Sequence, residues 1–201
     1  YNIENKKESV RLLKESADLG FSLAQHDYSQ YLLLTEKNEK ESEKYLRLAA
    51  NQNDSQSCLE LSERLKRTKN AIKNRESFLF LKKAADLGNE VALLQLGKIL
   101  AGEKDYSLNF EIETDINLSL KYLKIAAEQS SDPDASITYA TYLGKALNTP
   151  PYSTTFDSNK IEGECLKYFK RGIELATQFH LFKIQYICKY SDFLISRNKL
   201  N

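Results

Sequence analysis

The 201-residue chain reads as all-α, a right-handed solenoid of about ten helices arranged as five antiparallel pairs. A gapless motif returns five times, and in most copies a second pattern with four-residue spacing follows it at a nearly constant distance. Breakers are also scarce, with three prolines and seven glycines, so long helices form at little cost. A period of 20 to 50 residues marks supersecondary units that bury a core only by stacking on one another.

The first helix of each pair carries the motif. Leu12-Leu13-Lys14-Glu15-Ser16-Ala17-Asp18-Leu19-Gly20 aligns with Tyr45 to Asn53, Phe80 to Gly88 and Tyr122 to Ser130, and Tyr168 to Glu174 is a degenerate fifth copy. Three residues before the opening column stand Ser9, Ser42, Ser77, Ser119 and Cys165, small in every copy. Seven residues after that small column come Ser16, Ala49, Ala84, Ala126 and Gly172, also small, so two small positions lie two turns apart on one face. Between them Leu13, Leu46, Leu81, Leu123 and Phe169 are large and apolar. Small, large, small along one stripe lets a neighbouring helix approach while the large side chain fills the gap.

A basic column, Lys14, Arg47, Lys82, Lys124 and Lys170, is followed four residues later by Asp18, Asn51, Asp86, Glu128 and Glu174. This spacing predicts exposed i,i+4 pairs rather than a phosphate-binding stripe.

Gly20, Asn53 and Gly88 are placed to stop the first helices in the left-handed conformation. Ser22, Asn89 and Asp132 then read as N-caps of the second helices, with Pro133 at a first helical position. The second helices repeat Ala24-x3-Tyr28-x3-Leu32, Ser57-x3-Leu61-x3-Leu65, Ala92-x3-Leu96-x3-Leu100 and Ala135-x3-Tyr139-x3-Leu143, one face of a helix each. The predicted helices are therefore 5–18, 22–35, 40–51, 55–67, 72–86, 90–101, 116–129, 133–147, 160–177 and 181–197. Length variation falls in the loops between pairs, long at 102–116 and 148–159. One domain over 1–201 is expected.

The run Leu81-Lys82-Lys83-Ala84-Ala85-Asp86-Leu87-Gly88-Asn89-Glu90-Val91-Ala92, with Leu96-Gly97, resembles the Sel1-like repeat of the wider tetratricopeptide superfamily. Asp115, seven residues before Tyr122, is similar to that family's loop aspartate, while Gly172-Ile173 departs from its Ala-Ala. The resemblance implies a non-catalytic adaptor that holds other proteins or peptides together. The alternative is a regulatory repeat segment of a larger enzyme, such as a protein kinase. Cysteine-rich relatives that act on β-lactams carry paired cysteines in each repeat; Cys58, Cys165 and Cys188 do not pair in that way and read as small buried residues.

Charge nearly cancels, 29 basic against 28 acidic side chains, so no whole-molecule field draws the chain to nucleic acid or to an anionic membrane. No apolar run reaches the roughly 20 residues of a membrane helix. Sequence motifs for nucleotide, metal or nucleophile chemistry are missing, and no cofactor is expected. With no methionine at position 1, the chain is expected to be part of a longer protein. Its compartment is taken as cytoplasmic, and its oligomeric state is left open.

Binding is expected on the concave face of the solenoid, lined by one helix of each pair. The second helices offer Tyr31, Gln56, Glu60, Gln95, Thr138, Tyr142, Gln185 and Tyr186 as partner contacts. Tyr28 and Tyr139 fall on the packing column and read as core. A second candidate is the proline-restricted loop carrying Pro151, Tyr152 and Phe156.

Overall fold

A computed structural model of the chain describes residues 3–68, 70–103, 112–147, 157–178 and 183–197. Among them are ten helices: α1 (Ile3–Asp18), α2 (Ser22–Leu34), α3 (Glu39–Asn51), α4 (Ser55–Lys66), α5 (Ala71–Asp86), α6 (Glu90–Leu100), α7 (Ile116–Gln129), α8 (Pro133–Leu147), α9 (Ser158–Gln178) and α10 (Lys183–Ser196). Each lies within two residues of its expected bounds. The chain forms two compact units, one reaching to Ala92 and the other beginning at Leu93.

In the first unit α1 to α5 each pack on the next helix. The small columns prove to be bonding columns as well as gaps. Ser42 Oγ donates to Ser29 O at 2.7 Å, and Ser77 Oγ donates to Ser62 O at 2.8 Å, the two hydroxyls of each pair lying 3.0 and 3.1 Å apart. Each first helix is thereby tied to the second helix before it. All four serines are buried, so these bonds form where an unpaired hydroxyl would be costly. Tyr28 of α2 meets Tyr45 of α3 edge-on, centroids 4.9 Å apart.

The turns from first to second helix follow one design. Gly20, Asn53 and Gly88 all have positive φ. In each turn that residue's N–H reaches back to Ala17, Ala50 or Ala85, and the next N–H to Ser16, Ala49 or Ala84. This is the Schellman arrangement that satisfies the last carbonyls of a helix. Asp54 caps α4 by accepting from Ser57 N at 2.7 Å, and Asn89 accepts from Ala92 N at 3.1 Å. Ser22 is a correction: it is the first residue of α2, whose N-cap is Phe21 without a side-chain bond. The column that holds Asp54 and Asn89 is occupied there by Phe21, so the serine one position later has no cap geometry to adopt.

In the second unit α7 to α10 each pack on the next, and α10 also touches α8. The same column recurs as Ser119 Oγ donating to Gly97 O at 2.7 Å. Gly97 is needed for this approach, because a Cβ there would lie 2.6 Å from Leu123. Tyr139 meets Tyr168 edge-on at 4.8 Å, the counterpart of Tyr28 with Tyr45. Gly172, the departure from Ala-Ala, has a packing reason: a Cβ would stand 2.6 Å from Ile137 and 3.1 Å from Pro133 O.

The basic column does more than expected. Lys14 closes the i,i+4 pair with Asp18 at 2.5 Å. Arg47 pairs instead with Glu43 and, across to the next first helix, with Glu76; Lys124 likewise reaches Glu164 at 2.7 Å. The acids are also used from the next copy, Tyr45 donating to Asp18 at 2.5 Å and Tyr168 to Glu128 at 3.1 Å. Sequence spacing within one helix cannot show a bond whose other half lies 27 to 40 residues away.

Candidate functional site

The second helices α2 and α4 build a polar cluster in the first unit. His26 and Gln30 stand one turn apart on α2, and Glu60 and Arg64 one turn apart on α4. Glu60 gathers the other three: it accepts from Gln30 Nε2, lies 3.2 Å from His26 Nε2 and is paired with Arg64. Arg64 also donates to Ser42 Oγ at 2.7 Å, which links the cluster to the serine column. Hydrogen bonding to Glu60 raises the His26 pKa against the opposing effect of burial. Burial pushes the Glu60 carboxyl up, but the bond from His26 and the Arg64 charge outweigh it and hold it below its usual range. With Nε2 3.2 Å from Glu60 of α4 and Nδ1 3.3 Å from Asp27, His26 bridges α2 and α4.

Of the expected binding residues here, Glu60 is thus an internal tie. Tyr31 is partly exposed, stacked on Tyr28 with its hydroxyl donated to Glu36 at 2.7 Å. Gln56 is exposed at the start of α4 and accepts from Asn89 Nδ2 at 3.3 Å.

In the second unit, Thr138 and Tyr142 are 3% and 7% exposed, so the expectation of accessible side chains does not hold for them. The Tyr142 hydroxyl is given to Glu103, and burial, then that bond, raise its pKa. The polar tip is satisfied inside rather than offered outward. Gln95 is partly buried, and its Oε1 has no partner among the described residues. Gln185 is exposed, and Tyr186 is partly buried against the core of α8 and α9. Pro151, Tyr152 and Phe156 lie outside the described residues.

A cavity of about 470 Å³ opens between α7, α8 and α9. Its floor is Leu120, Leu143 and Ile161, and its polar wall is the Lys124, Glu164 and Tyr139 network, in which Tyr139 donates to Glu164 at 2.9 Å. Burial raises the Tyr139 pKa more than any other cause, so the phenol stays protonated as a donor.

Two cysteines match their expected role. Cys58 is buried with Sγ 3.4 Å from Ala50 O, and burial raises the pKa of both thiols, that of Cys165 to about 12. Cys188 is a correction, being exposed on α10. Among the described residues no three potential ligands gather to hold a metal, and no helix is long and apolar enough to cross a membrane.

Sequence reasoning missed Lys83 and Arg171, which share a column one residue after the basic one. Lys83 Nζ donates to Ala50 O at 2.8 Å, and Arg171 reaches Glu128 O and Ser130 O at 3.5 and 3.4 Å. Both place a cation on the C-terminal carbonyls of the preceding first helix, where the helix dipole favours it.

The Sel1 repeat family matches residues 22–54, 69–89 and 91–131. The chain carries Sel1 repeats. A Sel1 repeat protein from Oxalobacter formigenes is similar in structure, with a TM-score of 0.59 at 21% identity, over 82% of this chain and 63% of that one. The protective antigen c5321 of uropathogenic Escherichia coli, which displays the same repeat fold, gives 0.52 at 17% identity over 96% of this chain and 43% of the other. The chain therefore spans less than two thirds of either protein, and at these identities the likeness is one of fold. No curated protein matches it. The serine and Gly97 contacts described above fall inside the matched Sel1 repeats, apart from Ser62, so the columns that define the repeat are those that bond one helix pair to the next.

Proposed function

We propose that this chain is a non-catalytic scaffold that binds other proteins or peptides through its second helices. Tyr31 and Gln56 in the first unit and Gln185 and Tyr186 in the second are its contacts; Gln95, Thr138 and Tyr142 support that surface from within. The observation that carries the reading is a division of labour among polar side chains. His26, Glu60, Arg64 and the serine column are engaged in joining helix pairs, whereas Tyr31, Gln56 and Gln185 remain accessible on second helices. Tyrosine offers rigid area with a polar tip at little entropic cost, which suits an interface. The Sel1 repeats that the chain carries support the same role.

The test is affinity capture from lysate of the source organism with three forms of the chain: the parent, Tyr31→Ser with Gln56→Arg, and Lys82→Glu on a first helix. Circular dichroism and a thermal midpoint establish that each is folded. The parent and Lys82→Glu should retain the same partner and the double variant should lose it. Retention by the double variant, with loss from Lys82→Glu, would move the binding surface to the first helices.

A further inference from the structure

The cavity between α7, α8 and α9 differs in a consistent direction from the equivalent place in the first unit. In the repeat register Glu43, Lys44 and Arg47 of α3 share the columns of Leu120, Lys121 and Lys124, while Lys73 and Glu76 of α5 share those of Ile161 and Glu164. The tie between successive first helices is common to both units: Arg47 reaches Glu76 as Lys124 reaches Glu164. Around that tie the first unit neutralises its own charge. Glu43 pairs with Arg47 at 2.8 Å and Glu41 with Lys44 at 2.9 Å. The Glu76 carboxyl is held below its usual range by the Arg47 bond and, less strongly, by the Lys73 charge.

The second unit keeps the tie and replaces those partners by apolar groups. Leu120 and Ile161 stand where Glu43 and Lys73 do, and with Leu143 they floor the cavity of about 470 Å³. Leu118 stands where Glu41 does, so Lys121 has no acid one turn before it. Lys121 and Lys160, both exposed at the cavity, make no ion pair among the described residues. The two acids that line it are already committed: Asp157 accepts from Asn159 N at 3.1 Å at the start of α9, and Glu164 accepts from Lys124 and Tyr139. The cavity thus combines an apolar floor with two cations that no carboxylate among its described residues answers.

We propose that this cavity binds a small organic anion, a carboxylate with an apolar body. Its volume falls in the range of about 300–1,000 Å³ that small-molecule sites occupy. The body displaces water from Leu120, Leu143 and Ile161, and the carboxylate is met at the rim by the Lys121 and Lys160 ammonium groups through charge-assisted hydrogen bonds. The site is independent of the second-helix contacts proposed above, since both cations belong to first helices.

Isothermal titration calorimetry of the 201-residue chain with octanoate, 1-octanol and acetate tests this. Octanoate should bind at a single site. Acetate, which lacks the body, should give no heat of binding, and 1-octanol, which lacks the charge, should bind at least about tenfold more weakly than octanoate. Lys121→Gln with Lys160→Gln should bring octanoate down to the affinity of 1-octanol. Leu120→Glu with Ile161→Lys, which installs the pair of residues found in the first unit, should abolish binding of both with helix content unchanged by circular dichroism. No binding of octanoate by the parent overturns the proposal. So does equal binding of 1-octanol, or octanoate binding that survives both double variants, which would place the anion elsewhere on the chain.

Discussion

His26 and Gly172 each look ordinary in the sequence, and each takes its meaning from a residue far along the chain. His26 is bound to Glu60, and its folded pKa is raised. A raised folded pKa means that the imidazolium contributes its stability fully below the unfolded value, about 6.5, and loses it as pH rises through the folded value. Thermal midpoints taken across that range should fall more for the parent than for His26→Gln; equal slopes would show that the pair does not couple to folding. At Gly172, substitution by alanine restores the family residue and improves helix propensity by about 1 kcal/mol. The packing predicts the opposite sign, because Ile137 and the Pro133 carbonyl occupy the space, and overpacking costs about 1–3 kcal/mol. A urea midpoint lower in Gly172→Ala, recovered in part by adding Ile137→Val, is the expected result. A rise in the single variant would contradict it.

Helices and their stops are the most legible features, because a helix end is written in local chemistry. Gly20, Asn53 and Gly88 can be read as left-handed stops since few other residues tolerate positive φ, and all three adopt it. Caps are legible where Asp or Asn stands in the right column and misleading where Phe21 does. Replacing Asp54 by alanine should therefore cost about 0.5–2 kcal/mol, as for a helix N-cap, while Ser22→Ala should leave the denaturation midpoint nearly unchanged. The reverse ranking would place the cap of α2 at Ser22 after all. Partners between helices are less legible. A column of serines signals close approach, but the acceptor, a carbonyl of the preceding second helix, leaves no mark in sequence. Ser77 shows the consequence: Ser77→Ala removes the bond to Ser62 O and strands the buried Ser62 hydroxyl, at about 1–3 kcal/mol.

For the whole chain, the repeat makes the fold class readable and leaves the working surface only half readable. Periodicity identifies which residues face the next helix, since that face must be apolar or small in every copy. It does not separate a polar residue that faces solvent from one that bonds a neighbouring repeat, and so Glu60 and Tyr142 look like surface contacts in sequence while acting as ties within it. What remains accessible on second helices, Tyr31, Gln56 and Gln185, is the basis of the scaffold reading. Hydrogen exchange with mass spectrometry on the captured complex, compared with the free chain, tests that reading most directly. Protection on binding should rise in peptides from 22–34 and 55–66, with little change in 39–51 and 71–86. Protection gained in the first helices instead, with α2 and α4 unchanged, would contradict it.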